Sequence, residues 1–206
     1  MSPPRLPNSY FEQMYAASTD PWQFTTRWYE KRKRALTLAA LPHPRYRSAF
    51  EPGCGIGVLT VELAGRCDRI VATDVVDDAL RRAADRLAGA AATVELRRWG
   101  LGDDWPAEHF DLIVLSEVCY YLEAAALRAV VDELLDHLEP DGVVICVHWR
   151  HPVPEYPLTG DEVHAILGGH RGLATVGSYR DDDFLLEVFT PARSPRRSVA
   201  QQEGLV

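Results

Sequence analysis

The clearest candidates for chemistry are an acid followed by three glycines at alternate positions, Glu51-Pro52-Gly53-Cys54-Gly55-Ile56-Gly57. Each glycine removes a side chain or permits dihedrals closed to other residues, so such a turn brings backbone close to a ligand. A short strand ending in Ser48-Ala49-Phe50 enters the turn, and Val58-Leu59-Thr60-Val61-Glu62-Leu63-Ala64 leaves it as a helix whose N-terminus faces the glycines. The arrangement suits a nucleotide-like cofactor at the first strand of an open α/β sheet. A dinucleotide fingerprint would need glycine at position 58 or 60, where Val58 and Thr60 stand, and no Gly-Lys-Ser or Gly-Lys-Thr follows to make a P-loop. Asp74 ends the next apolar stretch, Arg69-Ile70-Val71-Ala72-Thr73-Asp74, which puts its carboxylate beside the turn. There it can accept from both ribose hydroxyls of an adenosine; the plainer alternative is a strand-end acid capping the next helix.

The elements that must position these residues follow from periodicity. Tyr10, Phe11, Met14 and Tyr15 recur at helical spacing, Asp20-Pro21-Trp22 interrupts, and a second helix is predicted from Thr26 to Leu41 with a face of Trp28, Tyr29, Arg32, Leu36 and Ala39 or Ala40. After Asp74, Ala79, Leu80, Ala83, Ala84 and Leu87 mark a helix with Asp77 as its cap. Thr93-Val94-Glu95-Leu96 is a third strand running into Arg97-Arg98-Trp99-Gly100, and the nearly continuous apolar run Phe110 to Leu115 suits a central parallel strand covered on both faces. It delivers Ser116 to Leu122 to the edge where the earlier strands end. Leu127, Val130, Val131, Leu134 and Leu135 line a helix stopped by Glu139-Pro140-Asp141-Gly142, and Val143 to Val147 form strand five, ending in His148-Trp149-Arg150-His151. Thr159-Gly160-Asp161-Glu162 is a capping box for a helix to about Leu167. Strands near 173–178 and 184–190, joined by a hairpin at 179–183, bring the count to seven.

A chain of 206 residues with 47% hydrophobic composition buries one good core. Three regions result: a helical extension or lid over 1–45, a cofactor-binding domain over 46–190, and a flexible tail over 191–206 rich in Pro, Arg and Ser. A net charge of −8 argues against a nucleic-acid partner held through phosphates. No N-terminal run resembles a signal peptide and none reaches membrane length, so the expected location is the cytoplasm, away from membranes. Cys54, Cys67, Cys119 and Cys146 lack Cys-x-x-Cys spacing and are expected to be small buried thiols, with no metal site.

The string Glu-x-Gly-Cys-Gly-x-Gly resembles the first motif of class I methyltransferases that use S-adenosylmethionine (SAM). Asp20-Pro21-Trp22, Trp28-Tyr29-Glu30-Lys31-Arg32-Lys33, Ala35 to Pro42, and Phe110 to Val114 with Glu117-Val118-Cys119-Tyr120-Tyr121-Leu122 resemble the NodS-like family, over about positions 8 to 190. That resemblance implies a Rossmann-like α/β fold: a seven-stranded mixed sheet of order 3-2-1-4-5-7-6, helices on both faces and an N-terminal helical extension. It implies SAM as cofactor, S-adenosylhomocysteine (SAH) as product, and a small-molecule acceptor, in that family the amino group of a deacetylated chitooligosaccharide. Candidate cofactor contacts are Glu51, Gly53, Cys54, Gly55 and Gly57 in the turn, Asp74 and Val75 after strand two, Trp99 and Gly100 after strand three, and Trp22, Tyr29 and Arg32 from the extension. Many relatives carry an acid just after strand three; here Gly100 stands there, with Asp103 and Asp104 further on. The extension's aromatics either cover the cofactor as a lid or simply pack onto the sheet domain.

Amine methylation needs an uncharged nitrogen, and a carboxylate or imidazole can orient it and take its surplus proton. Glu117 after strand four and His148 at the end of strand five are the candidates for that work, with Tyr120, Tyr121 and Trp149 shaping the pocket. Glu117 has the alternative of bonding only backbone, and His148 of packing at a strand end. Competing readings are an O-methyltransferase of a small metabolite, a non-catalytic SAM-binding scaffold, and an NAD-linked oxidoreductase.

Overall fold

The structure is a computed structural model that describes residues 5–195 and 197–206; residues 1–4 of the expected extension and residue 196 of the expected tail lie outside the described residues. The sheet forms around β4 (Phe110–Ser116), whose Phe110, Leu112, Ile113, Val114 and Leu115 are wholly buried. Period-two alternation splits these between two cores. Ile113 and Leu115 join Phe50 and Val71 against Leu127, Val130, Val131 and Leu134 of α5 (Ala124–His137) and Val163 and Leu167 of α6 (Gly160–Gly168). Leu112 and Val114 face the other way, with Ala49, Ile70 and Ala72, toward Leu59 and Leu63 of α3 (Val58–Leu63) and Leu36 of α2 (Trp28–Ala40). Burying such an aliphatic side chain contributes about 1.5–3 kcal/mol, so these two layers dominate the cohesion of the fold.

Strand order is β3 (Thr93–Arg98), β2 (Cys67–Asp74), β1 (Tyr46–Pro52), β4, β5 (Leu138–Trp149), β7 (Phe184–Pro191), β6 (Leu173–Arg180), with β7 antiparallel to both neighbours. This is the expected seven-stranded mixed sheet with flanking helices. The parallel strands β1, β2 and β4 all point their C-terminal ends to one edge, where an open α/β sheet binds its ligand. The extension consists of α1 (Asn8–Ala17) and α2; α4 (Asp77–Leu87) connects β2 to β3. The four cysteines are buried free thiols.

Several local expectations need correction. The buried residues of α2 are Glu30, Lys33 and Thr37, while Trp28, expected on the packing face, is 71% exposed. The cap before α4 is Val76, with no side-chain bond; its N–H goes instead to Asp74 at 2.9 Å, and Asp77 is already inside the helix. β5 begins at Leu138 rather than after the Glu-Pro-Asp-Gly segment, because a register shift between Phe110 and Leu112 lets the strand accommodate those residues as an irregularity. Within the segment expected as a flexible tail, the chain carries one capped turn of helix after β7, α7 (Val199–Gln202).

Candidate active site

β1 ends at Pro52 and the chain turns through Gly53, Gly55 and Gly57 with φ of +72°, +55° and +75°, values that side chains rarely adopt. A Cβ on Gly53 would stand 2.2 Å from Val118 Cγ1, and one on Gly55 2.9 Å from the Tyr15 hydroxyl. The third glycine works differently: a Cβ on Gly57 would meet Ala83 of α4 at 3.1 Å, so it permits close packing of α3 on α4 and is absent from the cavity wall. Asp74 is 8% exposed, and its two oxygens accept from Gly55 N at 3.0 Å and Val76 N at 2.9 Å. Burial pushes its carboxyl up to about 6 against the pull of those amides. The acid thus ties the turn to the start of α4, one oxygen on each.

The turn forms one wall of a cavity of about 580 Å³ at the sheet's ligand-binding edge. Glu51 stands in that wall, 3% exposed, with no partner for Oε2 among the described residues; burial pushes its carboxyl up to about 8. An orphaned buried acceptor of this kind waits for a donor or a positive charge. At the β3 end, Val75, Trp99 and Gly100 line the cavity. Trp99 packs edge-on against Phe50 and donates to Asp104 O at 2.8 Å. No acid projects from position 100. Asp103 accepts from Gly100 N at 3.0 Å and from Arg5 at 3.1 Å, and Arg5 also donates to Leu101 O at 2.6 Å.

The extension lines the cavity too. Tyr15 meets Trp22 edge-on at 5.6 Å, and Trp22 stacks on Phe24 at the same centroid distance, all three lining the cavity beside the glycine turn.

The end of the cavity beyond β4 and β5 is built around Glu117, a non-glycine residue at φ +57°, the left-handed backbone found mostly where function or tight packing demands it. Its Oε1 accepts from Lys33 Nζ, and its Oε2 from the Tyr120 hydroxyl at 2.5 Å and the Trp149 N–H at 2.9 Å. Lys33 also reaches Glu30 at 3.1 Å and lies 4.9 Å above the Tyr29 ring. Burial pulls the lysine down, but the Glu117 and Glu30 carboxylates outweigh it and hold the ammonium above its usual range. Burial raises Glu30, with Lys33 opposing. Tyr121, Tyr156 and Trp149 complete an aromatic wall.

Of the residues singled out in the sequence, Glu51, Gly53, Cys54, Gly55, Asp74, Val75, Trp99, Gly100, Trp22, Tyr29, Glu117, Tyr120, Tyr121 and Trp149 come together on one cavity. Gly57, His148 and Arg32 do not. His148 is fully buried behind Tyr120, its Nε2 accepting from Cys119 N at 3.2 Å and its Nδ1 facing His164 Nε2 at 3.2 Å; His164 in turn reaches Glu187 at 2.7 Å. A ring nitrogen that accepts from an amide cannot take a substrate proton. Burial, His164 and Lys33 hold this imidazole neutral, well below its usual range. Arg32 points to the β6–β7 turn, paired with Asp181 at 2.7 Å and with Tyr179. Missed in the sequence were Glu30, Lys33, Arg5, Tyr15 and Phe24. The i, i+3 spacing of Glu30 and Lys33 was visible, but not that it faces inward.

A sequence model of the nodulation protein S (NodS) family matches residues 9–156. The chain belongs to the NodS family. Nodulation protein S of Bradyrhizobium diazoefficiens is 31% identical over 198 residues, 89% of this chain and 92% of that protein. The Rhizobium tropici nodulation protein S is 33% identical over 148 residues, 66% of this chain but only 60% of the relative's length. The crystal structure of the N-methyltransferase NodS from Bradyrhizobium japonicum WM9 in complex with SAH superposes with a TM-score of 0.81 at 26% identity, covering 90% of this chain and 98% of that one. By family and fold the protein is a class I SAM-dependent methyltransferase, and SAM is its cofactor. The residues present fit that group: a glycine turn in left-handed backbone on the cavity wall, an orphaned Glu51 oxygen for a cationic partner, and an Asp74 bonded to the turn. Asp74, Glu51, Val75, Trp99 and Gly100 all line the cavity beside that turn and are the residues that would hold the cofactor there.

Proposed function

We propose that this NodS-family protein transfers the methyl group to an amine, the amino group of an amino sugar or a similar small molecule. The observation that carries the reading is Glu117, a strained carboxylate on the cavity wall whose Oε2 is filled by Tyr120 and Trp149 N. A carboxylate offers about four acceptor directions, and three here are taken, which leaves one on Oε1 for an acceptor N–H. Glu30 adds a second carboxylate nearby. The Tyr29, Tyr121, Tyr156 and Trp149 rings offer flat apolar faces suited to the C–H faces of a sugar ring.

SAM supplies an electrophilic methyl on a cationic sulfur, so the chain need only hold the acceptor in line and keep water out. The nitrogen's lone pair forms the N–C bond as the C–S bond breaks and its electron pair stays on sulfur. Glu117 orients the amine before transfer and receives its surplus proton afterwards. Tyr15, Trp22 and Phe24 wall off solvent on the cofactor side.

The test offers the protein SAM with a chitooligosaccharide bearing one free amine and with its fully N-acetylated counterpart. The expected result is SAH formation with the first alone, and a product whose new methyl resonance couples to nitrogen. Methylation of both at equal rate, or on oxygen, would overturn the amine reading.

A further inference from the structure

Lys33 stands where an acceptor-binding cleft would be expected to hold only acids. It is 4% exposed, on the second turn of α2, and lines the same cavity as the glycine turn. A lysine buried to this degree is costly unless paired, and here two carboxylates from different elements hold it: Glu30 from its own helix and Glu117 from beyond β4. The other titratable and charged groups around it are Tyr29, whose buried hydroxyl has no partner, Tyr120 through Glu117, neutral His148 behind it, Arg34 on the cavity wall, and Asp183 from the β6–β7 turn. Two acids and one ammonium leave this cluster with a net charge of −1.

Two carboxylates alone would make a poor site for amine methylation. They would attract the acceptor as an ammonium and hold it so, and an ammonium has no lone pair. A fixed cation beside the same carboxylates offsets that pull: Glu117 accepts a hydrogen bond from a neutral amine while the neighbouring positive charge disfavours its protonated form. We infer that Lys33 is the residue that keeps the bound acceptor amine uncharged, its ammonium being fixed between Glu30 and Glu117 within the cavity. Lys33 acts on the amine by its charge and takes no proton. The inference rests on the amine reading of this site.

The test uses glucosamine as the probe amine. Turnover is followed against pH in the wild type, Lys33→Arg, Lys33→Met and the double variant Glu30→Gln/Lys33→Met, which restores the net charge of the cluster without its cation. The acidic limb of kcat reports the bound amine. It should lie below the free amine's own titration in the wild type and stay close to that position in Lys33→Arg. In Lys33→Met it should move up by about 1–2 pH units, and in the double variant, where loss of the Glu30 charge offsets part of the loss of the cation, by a smaller amount in the same direction. Binding gives a second readout. Calorimetry of glucosamine onto the SAH-bound protein in buffers of differing ionisation enthalpy should show proton release below the amine's free pKa in the wild type and none in the variants lacking the cation. Identical limbs and identical proton release across all four proteins would overturn the role of Lys33 while leaving amine methylation standing. A wild-type protein that binds SAH yet methylates neither glucosamine nor a free-amine chitooligosaccharide at any pH would instead remove the amine reading, and this inference with it.

Discussion

The cofactor half of the cavity is held by backbone, whereas the acceptor half is held by side chains. Gly53, Gly55 and Gly57 shape the first through dihedrals that other residues avoid, and Asp74 links the turn to the start of α4 by accepting from the Gly55 and Val76 amides. The second depends on Lys33, Glu117, Tyr120 and the Trp149 amide, brought from α2, the turn after β4 and β5. A backbone-built site is robust to surface change and has one fixed ligand class. A site built from a charged cluster can be retuned by one substitution, which suits a region where acceptors differ.

Breaking the acceptor cluster should have the largest effect. Removing one member of a buried, hydrogen-bonded ion pair leaves its partners unpaired and typically costs about 3–5 kcal/mol, so Lys33→Met should lower unfolding stability by that order in urea titrations, with partial recovery in Glu30→Gln/Lys33→Met. On the cofactor side, Gly53→Ala should come next. It combines a left-handed φ, costing about 1–2 kcal/mol, with a clash against Val118 that repacking relieves for about 1–3 kcal/mol. Calorimetry should show SAM affinity falling on the order of 100-fold.

The same contrast extends to pH. Glu51 rises from 4.5 to about 8 on folding, so the stability it contributes is fully present below pH 4.5, falls as pH rises and is gone above about 8. Asp74 acts with the same sign, but its window closes near pH 6. Melting temperature of the ligand-free protein should therefore decline between pH 6 and 8, and Glu51→Gln should flatten that decline. SAM binding, which brings positive charge to Glu51, should tighten over the same interval and lose this dependence in Glu51→Gln. The smallest effect belongs to Arg32, which faces the β6–β7 turn: Arg32→Ala should leave SAM affinity unchanged.

These differences explain what could be read from the sequence. The glycine turn and Asp74 are local, their roles following from residue type and a short spacing, and the sheet's seven strands follow from apolar runs. Lys33 was hidden in the charge run Glu30-Lys31-Arg32-Lys33-Arg34, where only the rotation of α2 against the sheet decides which charges are buried. Choosing Arg32 over Lys33 is an error of one residue, about 100° around a helix. His148 was misplaced for a related reason. Its parity along β5 matches Val144 and Cys146, which face α5 and α6 rather than the ligand edge, so alternation alone could have turned its ring away from the cavity. Arg5 stands against Gly100, and no local pattern links two positions so far apart in the chain.

The most direct test of the division between the two halves is Glu117→Gln, assayed for SAH affinity and for single-turnover methylation of a free-amine chitooligosaccharide on one preparation. The amide keeps the size of the side chain but loses the charge that holds Lys33 and the acceptor. Affinity for SAH should stay within about twofold of wild type while the methyl-transfer rate falls on the order of 100-fold. A variant that loses SAH binding, or one that methylates at the wild-type rate, would contradict the account.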